Sequence, residues 1–597
     1  MHARVDRIAR GLMGLGVAFA FAAGIAQAQD YKQVQPSAPA PNAPATISPP
    51  PVARATPPAQ DKVLLQDLKG LKLVDKLDKI VRTGVAEPGI VVDSQLGLLQ
   101  DAAIREKLAH YLGKPFAVSD ISGITGLIEQ WYRDHQHPVV DVVFPEQKIT
   151  QGTVQVLVVE YRVGQVKVEG NQWFSSDLIR QGVDINPGDT IDFSQLREEL
   201  NALNRNPFRR VDAVFQKSDQ VGDTDLILET QDRLPLRVYA TYDNTGLPVT
   251  GRDHYSVGFN WGNALWTDSQ LSYQFTTGSD FFGNRDRGPG ESNDPRFLAH
   301  AVDIQTPLPW NDDAIHIFGS YLQQVPDIGT DFGEVGRNIQ VAFRYQRALP
   351  SFVNGLTNQL EFGFDYKNSN NNLAFGGTSV FANTTEVDQF VFSYDGTLID
   401  RYGQTAVEDD LIYSPGGLTG GNNSLVFQES GVAGATANYV YNRLQFTRQT
   451  NLPYDMEWLV RASGQLASND LILSEQMGAG GVDSVRGYDE RAESGTQGVL
   501  FSTELYSPPL SIGRTFFNGD FDDAGQILAF YDYGHVSDKH LQQSTPGNAE
   551  LSSVGFGARY NVKRYLDVRF DYGWQLERLP GAPHLGNLAT VSVTLSY

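Results

Sequence analysis

There is no cysteine anywhere in the 597 residues, which excludes a disulfide framework, a thiolate metal site and a lipobox lipid anchor. Positive charge is scarce. The 47 Lys and Arg face 70 Asp and Glu, a formal net charge of −23. A general nucleic-acid binder needs a basic stripe to neutralise phosphates, so that class is excluded. Beyond the N-terminal leader no run approaches the roughly 18 apolar residues of a membrane-spanning helix. The phosphate-cradling pattern G-x-x-x-x-G-K-[ST] and the Gly-x-Ser-x-Gly elbow are both missing. The ten histidines offer no partner set, and His135 and His137 lack a third ligand nearby. We therefore expect no catalytic residues, no metal and no cofactor. What the chain has in excess is Gly (58), Phe (32) and Tyr (25).

The N-terminus has the form of a secretory leader. Arg4, Arg7 and Arg10 precede an apolar stretch, residues 11–25, and Ala26-Gln27-Ala28 is an A-x-A cleavage site. Residues 29–62 are rich in proline and alanine and are expected to be an extended linker. Only Gln29 to Gln35 precede the prolines, too few for a helix of membrane depth, so a plugging helix is not expected.

Residues 63–161 and 162–234 each alternate short apolar strands with helices in the order β-α-α-β-β. In the first, Leu71 to Ile80 suits a strand and Gln100 to Leu112 has helical spacing. Asp120 is placed to cap a second helix with Ile124, Leu127, Ile128 and Trp131 on one face. In the second, Ser175 or Ser176 and then Asp192 or Ser194 can cap two helices, before strands at Val211 to Phe215 and Thr224 to Thr230. The doubled order and the Gly170-Asn171 turn resemble POTRA domains, the periplasmic modules of outer-membrane assembly and secretion proteins. An exposed sheet edge accepts an extended guest chain as an added strand. The resemblance implies that the second strand is that edge, here Val211, Asp212, Ala213, Val214 and Phe215; a neighbouring module covering it is the alternative.

From residue 235 helical spacing gives way to period two. Leu236, Val238, Ala240 and Tyr242 alternate with Arg237, Tyr239, Thr241 and Asp243, and Val568, Phe570, Tyr572 and Trp574 alternate with Asp567, Arg569, Asp571 and Gly573. Charges on one face and aromatics at the ends of the other fit a membrane barrel better than a soluble sandwich. Val591, Val593, Leu595 and Tyr597 hold this phase to the last residue, which resembles the C-terminal signal read by the barrel-assembly machinery. In hydrocarbon every backbone group must be paired, so the sheet must close. About sixteen such runs can be marked. Residues 277–293, 368–385 and 415–434 are expected as long outer loops, 307–313 and 349–356 as short periplasmic turns. Residues 518–525 fail the ligand pattern of a calcium loop and are expected to be a solvated turn.

One Gly-rich loop, residues 478–498, carries Val485-Arg486-Gly487-Tyr488 between two strands. A later strand reads Phe530-x-Asp532-x-Gly534, with Asp532 on the inward phase, where either lumen water or a cation would satisfy it. A guanidinium fork from an inward-folded loop would pin the loop there. This pair of motifs resembles the signature of the superfamily of barrel-assembly proteins and two-partner secretion transporters. There, the resemblance implies, the loop arginine meets the wall aspartate, which assigns those roles to Arg486 and Asp532. Two POTRA-like modules before the barrel resemble the filamentous-haemagglutinin and haemolysin transporters. The expected fold is a transmembrane β-barrel of about sixteen antiparallel strands, preceded by two α+β POTRA-like domains in the periplasm. The expected function is export of an unfolded partner, a large β-helical adhesin or cytolysin, through the outer membrane. Outer-membrane lipid, lipopolysaccharide and the barrel-assembly machinery are the other expected partners. An outer-membrane assembly or insertion factor is the alternative; a passive porin and a barrel enzyme are weaker readings.

Overall fold

Helical spacing ends at Pro235, and the chain divides there. Pro41–Pro235 form one unit of the computed structural model; Leu236–Tyr597 with the stretch up to Ala40 form the other. The structure describes residues 34–39, 42, 45–48 and 61–597, apart from 138, 219, 221, 284–292, 309–312, 328–331, 352, 354, 376–377, 433, 517–518, 520–521, 541–547 and 580–581. The expected leader, residues 1–28, lies outside the described residues.

In the first unit, strands Gly70–Val74, Gly89–Val92, Val140–Val143 and Thr153–Glu160 make one sheet, with Gly70–Val74 and Thr153–Glu160 at its centre. Helices Ala102–Ala109 and Val118–Asp134 cover it. Ile124, Ile128 and Tyr132 recur every four residues and are buried together against Leu71, Leu73, Val154 and Val156. Two expectations need correction. The strand begun at Leu71 stops at Val74, where Asp75 and Lys76 break the apolar run, and the chain passes into a single turn, Leu77–Lys79. The strand Gly89–Val92 was not anticipated. Asp120 is also not the cap itself. The helix starts at Val118, and the Asp120 carboxylate reaches back to accept the Ala117 N–H at 2.7 Å.

The second module has helices Ser176–Gln181 and Phe193–Leu203, capped by the Ser175 and Asp192 side chains. Its strands Arg162–Glu169, Asp223–Asp232 and Arg209–Lys217 lie side by side in that order, so Arg209–Lys217 is the edge of this three-strand set. Val163, Leu196, Leu200, Val211, Phe215 and Leu226 are among the residues that fill the space between sheet and helices.

Sixteen antiparallel strands then close into a barrel, from Leu236–Asp243 to Asn587–Ser596. Exposure is inverted relative to a water-soluble sheet. On one strand the outward Val257 is 54% exposed and the inward Asn260 is 2% exposed. Apolar faces turned outward and polar faces turned inward are what a hydrocarbon surround requires. The barrel closes through the first and last strands, with Tyr239 opposite Ser596 and Asp243 opposite Ser592. Leu595 and Tyr597 point outward, as their phase predicts.

Residues 368–385 are not a loop. The strands Leu356–Phe375 and Thr378–Asp400 carry their ladder through this stretch, pairing Asn368 with Glu386 and Phe375 with Thr378. Asn, Ser and Thr give no apolar alternation, yet the backbone ladder needs none where no hydrocarbon adjoins it. Near residues 518–525, Asp523 opens a strand and is buried; its carboxylate accepts from Ser511 Oγ at 2.5 Å and Gly513 N at 2.9 Å. Asp522 just before it is exposed, in a left-handed turn at φ +50°, and residues 518, 520 and 521 lie outside the described residues.

Candidate functional site

Two places concentrate polar chemistry: the edge of the second small module and the interior of the barrel. On the edge strand Val211, Ala213 and Phe215 point into the core and are buried, while Asp212 and Val214 face the other way and are half-buried. The outer main chain is therefore what a guest would meet. A guest is already there. Ile47–Ser48, within the Pro-rich linker, adds in parallel, Ile47 opposite Ala213 and Ser48 opposite Val214. The Ala213 N–H donates to Thr46 O at 3.0 Å. Thr46 N and Oγ1 donate to Asp212 Oδ1 at 2.7 and 2.9 Å. Asn42 Nδ2 reaches the carbonyls of Asn204, Asn206 and Arg209 at 3.1, 2.8 and 2.7 Å. What covers this edge is thus a piece of the linker. Burial pushes the Asp212 carboxyl up, but the Thr46 N–H, Arg210 and the Thr46 hydroxyl outweigh it and hold it below the usual carboxylate range. His135 and His137 are held by carbonyls, Nδ1 to Trp131 O at 2.8 Å and Nδ1 to Ile191 O at 2.7 Å.

In the barrel, the Gly-rich loop folds back between strands Glu457–Ala467 and Gln497–Tyr506. A hairpin, Met477–Ala479 with Glu493–Gly495, carries its tip. The structure brings Arg486 onto Asp532. Nε and Nη2 donate to the two carboxylate oxygens, each at 2.8 Å, and the Arg486 N–H donates to Oδ2 at 3.1 Å. The guanidinium lies over the Phe530 ring, 3.5 Å from its centroid. Arg486 is 3% exposed and Asp532 fully buried. A charge so buried requires compensation, and it is arranged beyond the expected pair. Arg486 Nη1 also meets Glu504 at 3.0 Å and Asp571 at 3.3 Å. Arg461 balances Glu504, and Arg559 and Arg569 balance Asp571 at 2.8 and 3.1 Å. Ser502 Oγ donates to Asp532 Oδ1 at 2.7 Å.

The flanking motif residues have separate tasks. Val485 is buried beside Ala479, Tyr488, Val536 and Leu551. Gly534 leaves room for it, since a Cβ there would lie 2.9 Å from Val485 Cγ2. Gly487 has φ +91° and lies against Gly573, where a Cβ would come within 2.7 Å of the Gly487 nitrogen. Tyr488 Oη donates toward Ser552 O at 3.0 Å and Glu577 O at 2.6 Å. The loop stem is held on other strands. Glu475 is buried, 2.7 Å from Lys367 Nζ, and accepts from Gln389 Nε2 at 3.1 Å and Tyr441 Oη at 2.9 Å.

Strand phase had already put Asp571 on the charged face, so its role was open to a reader of the sequence. Glu504 lies on an inward position of the strand that leaves the loop and was overlooked. Nothing in the sequence pattern marked Glu475 or Lys367.

Residues 222–560 match the family model described as haemolysin secretion/activation protein ShlB/FhaC/HecB. Residues 89–160 match the POTRA domain, ShlB-type, and residues 161–230 match a POTRA model described as surface antigen variable number repeat. Among curated proteins the chain is similar to the heme/hemopexin transporter protein HuxB of Haemophilus influenzae (strain 86-028NP), 25% identical over 490 residues, 77% of this chain and 78% of that one. It is also similar to the outer membrane transporter CdiB-2 of Burkholderia pseudomallei (strain 1026b), 22% identical over 504 residues, 81% of this chain and 78% of that one. The fold matches that of CdiB from Escherichia coli with a TM-score of 0.68 at 15% identity, covering 92% of this chain and 93% of the other.

Proposed function

We propose, from the premise that this chain belongs to the haemolysin secretion/activation protein ShlB/FhaC/HecB family and is a two-partner secretion transporter of the outer membrane, how it takes up and releases its cargo. Its POTRA domains are periplasmic, and it serves a secreted partner protein. An unfolded segment of that partner adds as a strand to Arg209–Lys217, taking the place of Ile47–Ser48. The observation that carries this is the linker strand itself: the edge accepts an extended chain through the Ala213 N–H without using the buried Val211 or Phe215 side chains. The partner then passes through the barrel in extended form, and the Arg486–Asp532 contact is the latch that holds the loop at rest.

The partner class we favour is a large β-helical adhesin or cytolysin, whose folding outside supplies the energy. Neither catalysis nor a cofactor has a part. Residues 63–161 and 162–234 are the two periplasmic modules, residues 235–597 the barrel, which the assembly machinery inserts among lipid and lipopolysaccharide. A pair of introduced cysteines tests uptake. Thr46→Cys with Asp212→Cys ties the linker to the edge when oxidised. Export then stops and returns on reduction; continued export by the oxidised form overturns the edge as the uptake site. Deleting the gene should remove one large protein from the medium and leave other outer-membrane barrels at their normal level.

A further inference from the structure

A short peptide lies against the inner wall of the first five barrel strands, and it is the protein's own residues 34–39, Val34-Gln35-Pro36-Ser37-Ala38-Pro39. The grip is on the main chain of Ser37. Its N–H donates to Tyr239 Oη at 2.9 Å and toward Gln274 Oε1 at 3.3 Å. Its carbonyl accepts from Arg237 Nη1 and Asn260 Nδ2, each at 3.0 Å. Two donors and two acceptors on three neighbouring strands thus frame one residue's peptide groups.

The frame is built in advance. Tyr239 Oη donates to Gln274 Oε1 at 2.9 Å, and Arg237 Nη1 donates to Asn260 Oδ1 at 2.9 Å. Asn260 Nδ2 also reaches Ser272 Oγ at 2.9 Å, and the Arg237 guanidinium lies over the Tyr239 ring at 4.7 Å. Three residues before Ser37, Val34 fills a hollow made by Phe297, Ala299 and Leu322 on the fourth and fifth strands. Those residues lie toward the loop end of their strands. Residues 34–39 thus lie inside the barrel alongside the inward loop.

The four bonds to Ser37 all go to backbone atoms, so they are available to any extended chain that offers an N–H and a C=O there. We propose that Arg237, Tyr239, Asn260 and Gln274, with the Phe297–Ala299–Leu322 hollow, form a binding subsite for the extended backbone of a polypeptide in transit. Residues 34–39 occupy it at rest. The occupant in transport is a segment of the exported partner with an aliphatic side chain three residues ahead of the gripped peptide unit. This rests on export of an extended chain through this barrel. The prolines at 36 and 39 suit a resting occupant, since neither can donate to a ladder and the peptide stays free to leave.

Purified full-length protein in planar bilayers tests the idea without knowledge of the partner. Ser37→Ala keeps the backbone donor and should leave the conductance unchanged. Ser37→Pro removes the N–H and should raise conductance and the frequency of openings. A short proline-free peptide of alternating Val and Ser should then block the Ser37→Pro channel. Adding Tyr239→Phe and Gln274→Leu should raise the blocking concentration about tenfold or more, the loss of one to two hydrogen bonds. Equal opening by Ser37→Ala and Ser37→Pro overturns the main-chain grip. Equal block with and without the wall substitutions overturns the subsite. Should the wall variant fail to fold, a photo-crosslinking residue at Ser272 decides instead: capture of residues 34–39 in the parent and of the peptide in Ser37→Pro supports the subsite, and capture of neither overturns it. A barrel that exported nothing would still show the block, so failure of the export reading is read separately, in the medium of the deletion strain.

Discussion

Lys367 Nζ and Glu475 Oε1 meet at 2.7 Å inside the barrel, so the loop that ends in Arg486 is tied down at its stem as well as its tip. The two ties use different stretches of wall. Glu475 is held from strands Leu356–Phe375, Thr378–Asp400 and Tyr439–Asn451. Arg486 is held from strands Gln497–Tyr506, Asp523–Ser537 and Leu566–Gln575.

Glu475→Gln should destabilise the resting loop by about 3 kcal/mol, the low end for a broken buried pair, because the Lys367 ammonium loses its counter-charge. Lys367→Met should do likewise by stranding Glu475. The Lys367→Met/Glu475→Leu double variant should recover most of the loss. Urea titrations in detergent micelles measure all three; additive losses in the double variant would show that the pair does not interact.

Arg486→Lys keeps the charge and loses the fork. If geometry holds the tip, this variant should resemble Arg486→Ala in bilayer conductance and in export, since a lysine cannot donate to both Asp532 oxygens in the plane of a guanidinium. Behaviour like the parent protein would mean that charge alone suffices. Asp532→Ala should impair export as well.

Gly573→Ala should lift the tip without touching any charge. Overpacking against the Gly487 backbone costs about 1–3 kcal/mol. The absence of cysteine makes the readout clean: Val485→Cys supplies the single thiol, buried at rest. Its labelling by a thiol reagent should speed up about tenfold or more when Gly573→Ala is added.

The linker strand should loosen in acid. The Asp212 carboxyl sits below its ordinary value of 3.8, so its contribution is complete above that value and fades as pH falls through the lowered one. Hydrogen exchange of the intact protein, followed on the peptide covering Val211 to Phe215 and referred to the intrinsic rate at each pH, should show protection falling below about pH 4. Asp212→Asn should exchange faster at neutral pH and lose this dependence.

The barrel was legible because period two fixes which side chain faces lipid, and that phase alone turned Asp532 inward. It failed at residues 368–385, where Asn, Ser, Thr and Gly dominate the sequence and the few apolar residues set no clear alternation. The linker strand had one overlooked sign. Between Pro44 and Pro49 the chain offers Ala45-Thr46-Ile47-Ser48, two β-branched residues in a proline-free window. The Arg486 cluster was half legible: the arginine and its first carboxylate came from motif and phase, but Glu504 declares itself only when burial demands more negative charge around one guanidinium. Arg237, Tyr239, Asn260 and Gln274 were each recognisable as inward-facing, and nothing in the sequence said that they converge on one peptide unit.

Two residues of parallel strand are a weak hold, yet Ile47–Ser48 has the advantage of being tethered. A segment on a short tether competes at an effective concentration on the order of millimolar. A stray unfolded chain at micromolar concentration with the same few bonds would therefore occupy Arg209–Lys217 about a thousandfold less often. Only a guest that pairs along more of the strand overcomes that handicap. With the proposed uptake at this edge, the linker would set an affinity threshold, and other unfolded periplasmic proteins would be kept out by length of match rather than by any single side chain.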